Sequence, residues 1–270
     1  MPAAPFPAYR SRYLPGMTLE KIRHLPDKAW APVVITTGAI EQHGPHLPVA
    51  VDSLMGQVWA ERISTLLDPQ TSCYFAPPIT IGKSNEHTGF PGTLFISKTT
   101  LREQLLAIAG QLQDWGFRQI SILNTHGGNT DVIIYTLHEI KALWGLETCF
   151  LRADVDYDLP EREQTLGMHA NTAETAWLQV VAPAYVDMTQ AVSEYPDPSA
   201  AAGQLRPEAA PATFAWVTAD VSRTGIMGDA PAGTAAKGAA WLGLTAKAYA
   251  QKITALAEQR RAIFAGNSQP

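Results

Sequence analysis

The sequence has little charge and no long apolar run. Only 17% of its 270 residues are charged, and the formal net charge is -5. Positive charge is not gathered into any run, which argues against nucleic acid or an anionic membrane as a partner. No stretch approaches the ~20 apolar residues that span a bilayer. The start of the chain, MPAAPFPAYRSRYLPG, lacks the basic and then apolar segments of a signal peptide.

Cysteine and nucleotide-binding motifs are also scarce. The two cysteines, Cys73 and Cys149, lie in separate strand-like segments, so we expect no disulfide framework. Neither GxGxxG nor GxxxxGK[ST] occurs, which disfavours a nucleotide site. These absences together predict a cytoplasmic protein.

Apolar residues make up 46% of the chain, enough for a large core, and we expect one domain over residues 1–270. Strand-like and helix-like segments alternate along it. The predicted strands or extended segments are APVVITTGA (31–39), TSCYFAPPITIG, RQISILN and ETCFLRA. The alternation predicts an α/β fold of three layers, a mainly parallel sheet flanked by helices. Ligands of such a sheet lie at the carboxyl ends of its strands.

Helical periodicity marks four longer segments. They are 53–67, TTLREQLLAIAGQLQDWG, DVIIYTLHEIKALWG and the closing TAAKGAAWLGLTAKAYAQKITALAEQRRAIF. In the second of them, Thr99 or Thr100 is the expected N-cap and Gly116 the expected end. The Pro/Ala-rich segment 194–213 is predicted to be an exposed excursion.

Acid and imidazole groups are concentrated in EQHGPHLPVAVD, which contains Glu41, His43, His46 and Asp52 directly after a predicted strand. His126 follows another strand, in ILNTHGGN. Two such loops can face one cavity at the edge of a parallel sheet. Imidazole and carboxylate are ligands that suit zinc or manganese, and a carboxylate between two ions can bridge them.

A third cluster, MHANTAET, places His169 and Glu174 at the start of a helix predicted near Thr172. Here the residues leave two interpretations open for Glu174: a ligand, or an acidic first-turn residue that complements the helix dipole. His87 either lines a substrate pocket or stabilises a turn, and His46 is expected to be a hydrogen-bonding structural residue.

These motifs resemble the creatininase family of metal-dependent amidohydrolases. The matching segments are GAIEQHGPHLPVAVD, the stretch from Glu86 to Thr93, NTHGGN, HANTAET and GDAPAGTAAKG, which span about residues 16–245. The resemblance implies two divalent ions, zinc and/or manganese, and a homo-oligomer, commonly a hexamer. It also implies the roles of the site residues. The metal ligands would be Glu41, His43, Asp52 (bridging), His126 and Glu174, and His169 would transfer a proton.

The sequence departs from creatininases proper at three places. Gly128 stands where they have a glutamate two residues after the histidine, and Thr125 replaces a common glycine. No tryptophan occurs between Trp144 and Trp177, where creatinine-hydrolysing members place theirs. Creatinine itself is therefore disfavoured, and the expected substrate is a small or cyclic amide that is creatinine-like, formamide-bearing or peptide-like.

The mechanism implied by these ligands is hydrolysis of a C–N bond. Two divalent ions lower the pKa of a water toward 7, and a proton donor, His169, assists the departing nitrogen. Gly127 and Gly128 would let the backbone approach the substrate. The alternative is a non-catalytic module that binds a metal or a small polar ligand on the same fold.

Overall fold

A four-stranded parallel sheet lies at the centre of the protein. The computed structural model describes residues 11–196 and 216–266. The strands are β1 (Pro32–Thr37), β2 (Tyr74–Phe75), β3 (Gln119–Asn124) and β4 (Glu147–Leu151), in the order β2-β1-β3-β4. All three pairs are parallel. The carboxyl ends of β1, β3 and β4 therefore meet at one edge of the sheet.

The described helices are α1 (Leu19–Arg23), α2 (Val51–Leu66), α3 (Lys98–Asp114), α4 (Thr130–Trp144), α5 (Glu161–Leu166), α6 (Thr172–Val181), α7 (Thr218–Val221) and α8 (Ala235–Gly266). Two further strands, β5 (Ser193–Glu194) and β6 (Gly228–Asp229), form a small antiparallel pair. That pair lies beside the segment that carries His169, because Met227 makes an antiparallel bridge with His169.

Alternate residues of the strands pack into two separate cores, one on each face of the sheet. Val34 and Leu123 pack on one face with α2, α6 and α8. Ile35 and Ile122 pack on the other face with α3 and α4. The buried strands read as continuous apolar runs for this reason, since both of their faces are covered. The predicted arrangement of helices flanking a mainly parallel sheet is confirmed.

One sequence-based expectation is wrong, a second is resolved in more detail, and a third is mostly untested. Helix α3 is capped by Ser97, whose Oγ accepts a hydrogen bond from the Thr100 backbone N–H at 3.0 Å, so the predicted caps Thr99 and Thr100 are wrong. Of the extended segment TSCYFAPPITIG, only Tyr74–Phe75 is a strand. Most of the predicted excursion 194–213 lies outside the described residues.

The predictions for cysteine and for membrane spans can be checked on the described residues. Cys73 is buried, Cys149 is partly buried, and both are free thiols, as expected. No helix within 11–196 or 216–266 is long and apolar enough to cross a membrane.

Candidate metal centre

The loop after β1 is pressed against the start of α2, and this contact builds the first part of the site. A Cβ on Gly38 would lie 2.7 Å from the backbone N and Cα of Ser53, so only glycine allows the close approach. The loop then returns, with the Glu41 N–H donating to the Val49 carbonyl at 2.9 Å. Glu41, His43 and Asp52 are thereby buried together at the carboxyl edge of the sheet.

The five predicted metal ligands come together in two overlapping groups. One group consists of Glu41, Asp52 and His126, and the other of His43, Asp52 and Glu174. Within each group the candidate ligand atoms all lie within 4.8 Å of one another. Asp52 belongs to both groups, the position that a bridging carboxylate needs.

Hydrogen bonds on the outer ring nitrogens orient both predicted histidine ligands. His43 Nδ1 lies 3.0 Å from the Glu41 carbonyl, so this nitrogen carries the proton and donates it. The Nε2 lone pair of His43 is left facing Asp52 Oδ1 at 3.4 Å. A metal-binding histidine has this arrangement, with one nitrogen donating and the other directed at the metal.

His126 has the opposite tautomer for the same reason. Its Nε2 lies 3.1 Å from the Lys83 carbonyl and 3.2 Å from Glu86 Oε1, two atoms that only accept hydrogen bonds. The proton is therefore on Nε2. The Nδ1 lone pair faces Glu41 Oε2 at 3.1 Å and Asp52 Oδ2 at 3.4 Å.

Several of the inward-facing atoms make no hydrogen bond with the residues that the structure describes. Glu41 Oε2, His43 Nε2 and Asp52 Oδ2 are fully buried and unpartnered. A buried carboxylate oxygen or imidazole nitrogen without a partner is costly, by about 1–3 kcal/mol each. Oxygen and nitrogen donors that converge on a common space fit divalent cations such as zinc or manganese, which on binding would replace the protons that the two histidines otherwise hold.

The pKa values show how strongly the cluster depends on compensating charge. Burial raises the pKa of Glu174 to about 7, with His43 opposing the shift and Asp52 adding to it. Burial alone would lower the pKa of His43, but the charge and hydrogen bond of Asp52 outweigh it and raise that pKa to about 9. Burial would likewise raise the pKa of Glu41, yet His126 holds it well below its ordinary value.

Glu174 also serves the helix on which it lies. Asn171 is the N-cap of α6, and its Oδ1 accepts from the backbone N–H groups of Ala173 and Glu174. Glu174 Oε2 completes a capping box at 3.4 Å from the Asn171 N–H. Both sequence interpretations of Glu174 therefore have contacts in the structure, since the same carboxylate faces His43 and Asp52.

His169 is buried against the same cluster. Its Nε2–H donates to the Gln42 carbonyl at 2.5 Å, and its Nδ1 lies 3.4 Å from Glu41 Oε1. Burial, and then the neighbouring His43 and His87, place the pKa of His169 well below its ordinary value. The next residue, Ala170, has a φ of 50°, a strained backbone for a residue with a Cβ, of the kind found at functional sites.

His87 lies behind Glu41. The Gln42 side chain fixes the orientation of His87, because its Oε1 accepts from the Gly44 N–H and its Nε2 donates to the Gly225 carbonyl. The same Nε2 lies 2.9 Å from His87 Nδ1, which must accept. The His87 Nε2–H therefore points at Glu41 Oε1, 3.3 Å away. His46, as predicted, makes a structural hydrogen bond, at 2.9 Å to Thr175 Oγ1.

The two glycines after His126 differ in their surroundings. Gly127 borders an open cavity, and a Cβ there would meet nothing within 4 Å. At Gly128 a Cβ would lie 1.8 Å from Glu86 Oε1 and 2.6 Å from the Lys83 carbonyl. No side chain, and hence no glutamate ligand, fits at position 128 in this backbone arrangement.

Glu86 is a site residue that the sequence prediction did not include. One oxygen contacts His126 and the other lies 3.0 Å from Lys83 Nζ. The sequence signal for a role of Glu86 in the site was its position directly before His87, within a stretch that resembles the family.

A cavity of about 470 Å³ opens beside the cluster. Asp52, His126 and Glu174 form part of its lining. Aromatic side chains form much of the remaining wall, namely Trp59, Phe150, Tyr157, Trp177 and Tyr249. A small-molecule site typically has such a size and such a mixture of apolar walls with a few polar groups.

The profile of one protein family, described as creatininase, creatinine amidohydrolase, matches residues 15–253. The chain belongs to the creatininase family. Members of this family are hydrolases that act on C–N bonds, which agrees with the amidohydrolase class expected from the motifs.

Individual relatives differ in what they act on. The chain is 29% identical over 219 residues to a mycofactocin precursor peptide peptidase of Mycobacterium ulcerans, covering 77% of this chain and 79% of the relative. It is 25% identical over 194 residues to a 3-dehydro-scyllo-inosose hydrolase of Thermotoga maritima, covering 68% and 60%. A solved manganese creatininase shares the fold, with a TM-score of 0.71 and 19% identity over 90% of this chain and 97% of that one.

Proposed function

We propose that this protein is a two-metal amidohydrolase that cleaves a peptide-like or other small amide. The observation that carries the proposal is the sharing of Asp52 between two three-residue groups of converging ligand atoms. Glu41, Asp52 and His126 would hold one divalent ion, and His43, Asp52 and Glu174 the other. Zinc and manganese both suit this set of nitrogen and oxygen donors.

When bound, two such ions supply a nucleophilic hydroxide at neutral pH and polarise the amide carbonyl. The chain itself orients the ligands. The Glu41 carbonyl and the acceptors around His126 fix the two imidazole tautomers. The His87 Nε2–H donates toward Glu41 Oε1 and leaves Oε2 for the metal side.

His169 is the proposed proton-transfer residue. Its Nε2–H is engaged by the Gln42 carbonyl, so Nδ1 is the atom that can take up a proton and pass it on. An amide nitrogen leaves poorly unless it is protonated, which is why the reaction needs such a group. Gly127 lies at the edge of the cavity, where the backbone can approach a substrate, whereas Gly128 is enclosed by Glu86 and Lys83.

A peptide-like amide is favoured over creatinine for three reasons. Gly128 replaces the family glutamate, and the curated relative from Mycobacterium ulcerans is named as a peptide peptidase. The 470 Å³ cavity is also larger than creatinine needs.

The experiment compares His169→Ala with the wild type after both are loaded with manganese or zinc. We expect the variant to keep its metal while kcat for a short-peptide substrate falls by ~100-fold or more, the scale for losing a general acid or base. The kcat for an ester with a nitrophenol leaving group should fall less, since that group departs unprotonated. The control is His138→Ala, which removes an exposed histidine of α4.

Two results would contradict the proposal. A metal-loaded wild type that hydrolyses no peptide or formamide would favour the non-catalytic binding module. A metal-replete His169→Ala protein with unimpaired amide turnover would remove the proton-transfer role.

A further inference from the structure

One permanently positive side chain, Arg152, belongs to the described lining of the 470 Å³ cavity. Arg152 directly follows β4, and the register pairs Leu151 with Leu123 of β3. His126 leaves β3 three residues after Leu123. Arg152 and the proposed metal ligand His126 therefore emerge from neighbouring strands at the same edge of the sheet.

Among residues 11–196 and 216–266, Asp154 is an acid that feels the charge of Arg152, and it also lines the cavity. The guanidinium of Arg152 makes no hydrogen bond or ion pair with those residues, and its described contact is with the Phe150 ring, whose centroid lies 5.2 Å from Cζ. The nearby carboxylate Asp154 is bonded to Lys252 instead. Stacking on an aromatic ring orients a guanidinium but leaves its five N–H groups free to donate.

A second unused donor borders the same cavity. Trp177 lines it, and the buried Nε1–H of Trp177 has no hydrogen-bond partner in the described part of the chain. The indole is held by edge contacts with Trp59 at 5.5 Å and with Tyr157 at 6.1 Å between ring centroids. The cavity therefore combines apolar walls with hydrogen-bond donors that lack protein acceptors.

The charge balance of the site permits an anion there. With all three carboxylates ionised, Glu41, Asp52 and Glu174 carry three negative charges, and two divalent ions would contribute four positive ones. The Asp154 carboxylate in the lining is paired with Lys252. With the ions bound, the cluster is net positive and Arg152 adds to it.

We propose that Arg152 binds a carboxylate of the substrate, and that the substrate is an N-acylated amino acid or short peptide with a free carboxylate near the scissile amide. The aromatic walls would receive its apolar side chain. This inference rests on the proposed function and assigns that site a substrate class. A bidentate carboxylate–arginine pair is the interaction that suits this geometry.

The test compares binding of two matched probes, N-acetyl-L-phenylalanine and N-acetyl-L-phenylalaninamide, to the metal-loaded protein by calorimetry. We expect the acid to bind about 10- to 100-fold more tightly than the amide, the scale of a charge-assisted hydrogen bond. Arg152→Gln should abolish this preference without changing metal content, and Arg152→Lys should keep part of it. Arg118→Gln, at the opposite edge of the sheet, removes the same charge and should leave the preference intact.

The comparison of variants separates Arg152 from the ions, which also attract carboxylates. If Arg152→Gln still binds the acid more tightly than the amide, the ions cause the preference and the proposal is overturned. Equal binding of acid and amide to the wild type, or binding of neither, would overturn it too. Failure of the proposed function is distinct, because it would appear as missing metal or missing amide turnover in the wild type.

A second pair of probes identifies which carboxylate is recognised. N-acetyl-L-glutamine and N-acetyl-L-isoglutamine are isomers that exchange an acid and an amide between the α-position and the side chain. Tighter binding of the first, lost in Arg152→Gln, assigns Arg152 to a chain-terminal carboxylate. Tighter binding of the second probe, lost in Arg152→Gln, assigns Arg152 to a side-chain carboxylate. If neither acid binds more tightly than the corresponding diamide in a way that depends on Arg152, the proposal is contradicted.

Discussion

His126 is held by carboxylates on both of its ring nitrogens. Glu41 and Asp52 lie on the Nδ1 side, and Glu86 lies on the Nε2 side at 3.2 Å. Glu86 is itself held by Lys83. A carboxylate behind a metal-binding histidine fixes the ring and raises its basicity, and its loss typically weakens metal binding 10- to 100-fold.

We therefore expect Glu86→Gln to weaken metal binding by about 10- to 100-fold, measured by titrating metal-free protein with manganese or zinc. Glu86→Asp should recover part of the affinity if its shorter carboxylate still reaches His126. Glu139→Gln, which removes a carboxylate that pairs with Arg102 on the far helices, is the matched control. Unchanged affinity in Glu86→Gln would show that the Lys83 carbonyl and the Ser84 hydroxyl, each 3.1 Å from His126 Nε2, suffice to orient the ring.

At this scale the sequence predicts which residue types can bind metal but not which atoms face one another. Glu41, His43 and Asp52 lie within one short stretch, so their proximity could be anticipated. Glu86 reaches His126 through an irregular segment 40 residues away, and no periodicity indicates that approach. Likewise, the tautomer of His87 depends on Gln42 and on the distant Gly225 carbonyl, a contact that only the folded chain creates.

Helix α3 illustrates what local patterns predict about an element and what they miss. Its apolar positions, Leu101, Leu105, Ala109 and Leu112, are buried at helical spacing, as the periodicity indicates. The cap was misplaced because SKTT offers three hydroxyl residues within four positions. Ser97, with an extended φ and ψ, is the one whose side chain reaches the third backbone N–H.

The cap makes a prediction about stability. Ser97→Ala should lower the free energy of unfolding by about 0.5–2 kcal/mol, because the Thr100 N–H loses its acceptor. Thr99→Ala should change it much less. Urea unfolding of metal-loaded protein measures both, and equal effects of the two substitutions would contradict the assignment of the cap.

The longer strands β1 and β3 could be predicted because strands covered on both faces give apolar runs, whereas the edge strand β4 is mostly only partly buried and was indicated by its alternation with helices. The two-residue strand β2 is too short to give such a signal, and its pairing with β1 depends on the tertiary structure. The short α5 and α7 have no detectable periodicity for the same reason.

At the scale of the whole molecule, apolar side chains are exposed on the outer surface of the loops around Glu41. Val49 and Leu94 lie on the two sides of the Glu41 segment, since Glu41 N bonds to the Val49 carbonyl and Leu94 pairs with Ile40. Leu94 is 60% exposed and Phe95 is 49% exposed. Adjacent exposed apolar residues are typical of interaction surfaces.

Homo-oligomer formation, expected from the family resemblance, remains a prediction. Light scattering should give a mass that is a multiple of the subunit mass, and Leu94→Asp should lower it by burying a charge in the interface. Leu143→Asp, at an equally exposed position on α4, is the control. A monomeric wild type across the micromolar range would contradict the prediction.

At this scale, the topology explains why distant motifs share one site. Parallel strands β1 and β3 are neighbours, so the loops that follow them meet, and α6 packs against α2 and α8 beside them. The rule that ligands lie at the carboxyl ends of strands anticipates this for Glu41 and His126. It does not place the His169 segment, which is held there by its bridge to Met227.

The central claim is that Asp52 serves two metal ions at once. The most direct measurement is the metal stoichiometry of Asp52→Ala beside the wild type, by plasma mass spectrometry after loading and removal of excess metal. We predict two equivalents per chain in the wild type and loss of both in Asp52→Ala, because each ligand group loses a member and neither keeps three. Two full equivalents retained in Asp52→Ala would contradict the shared site.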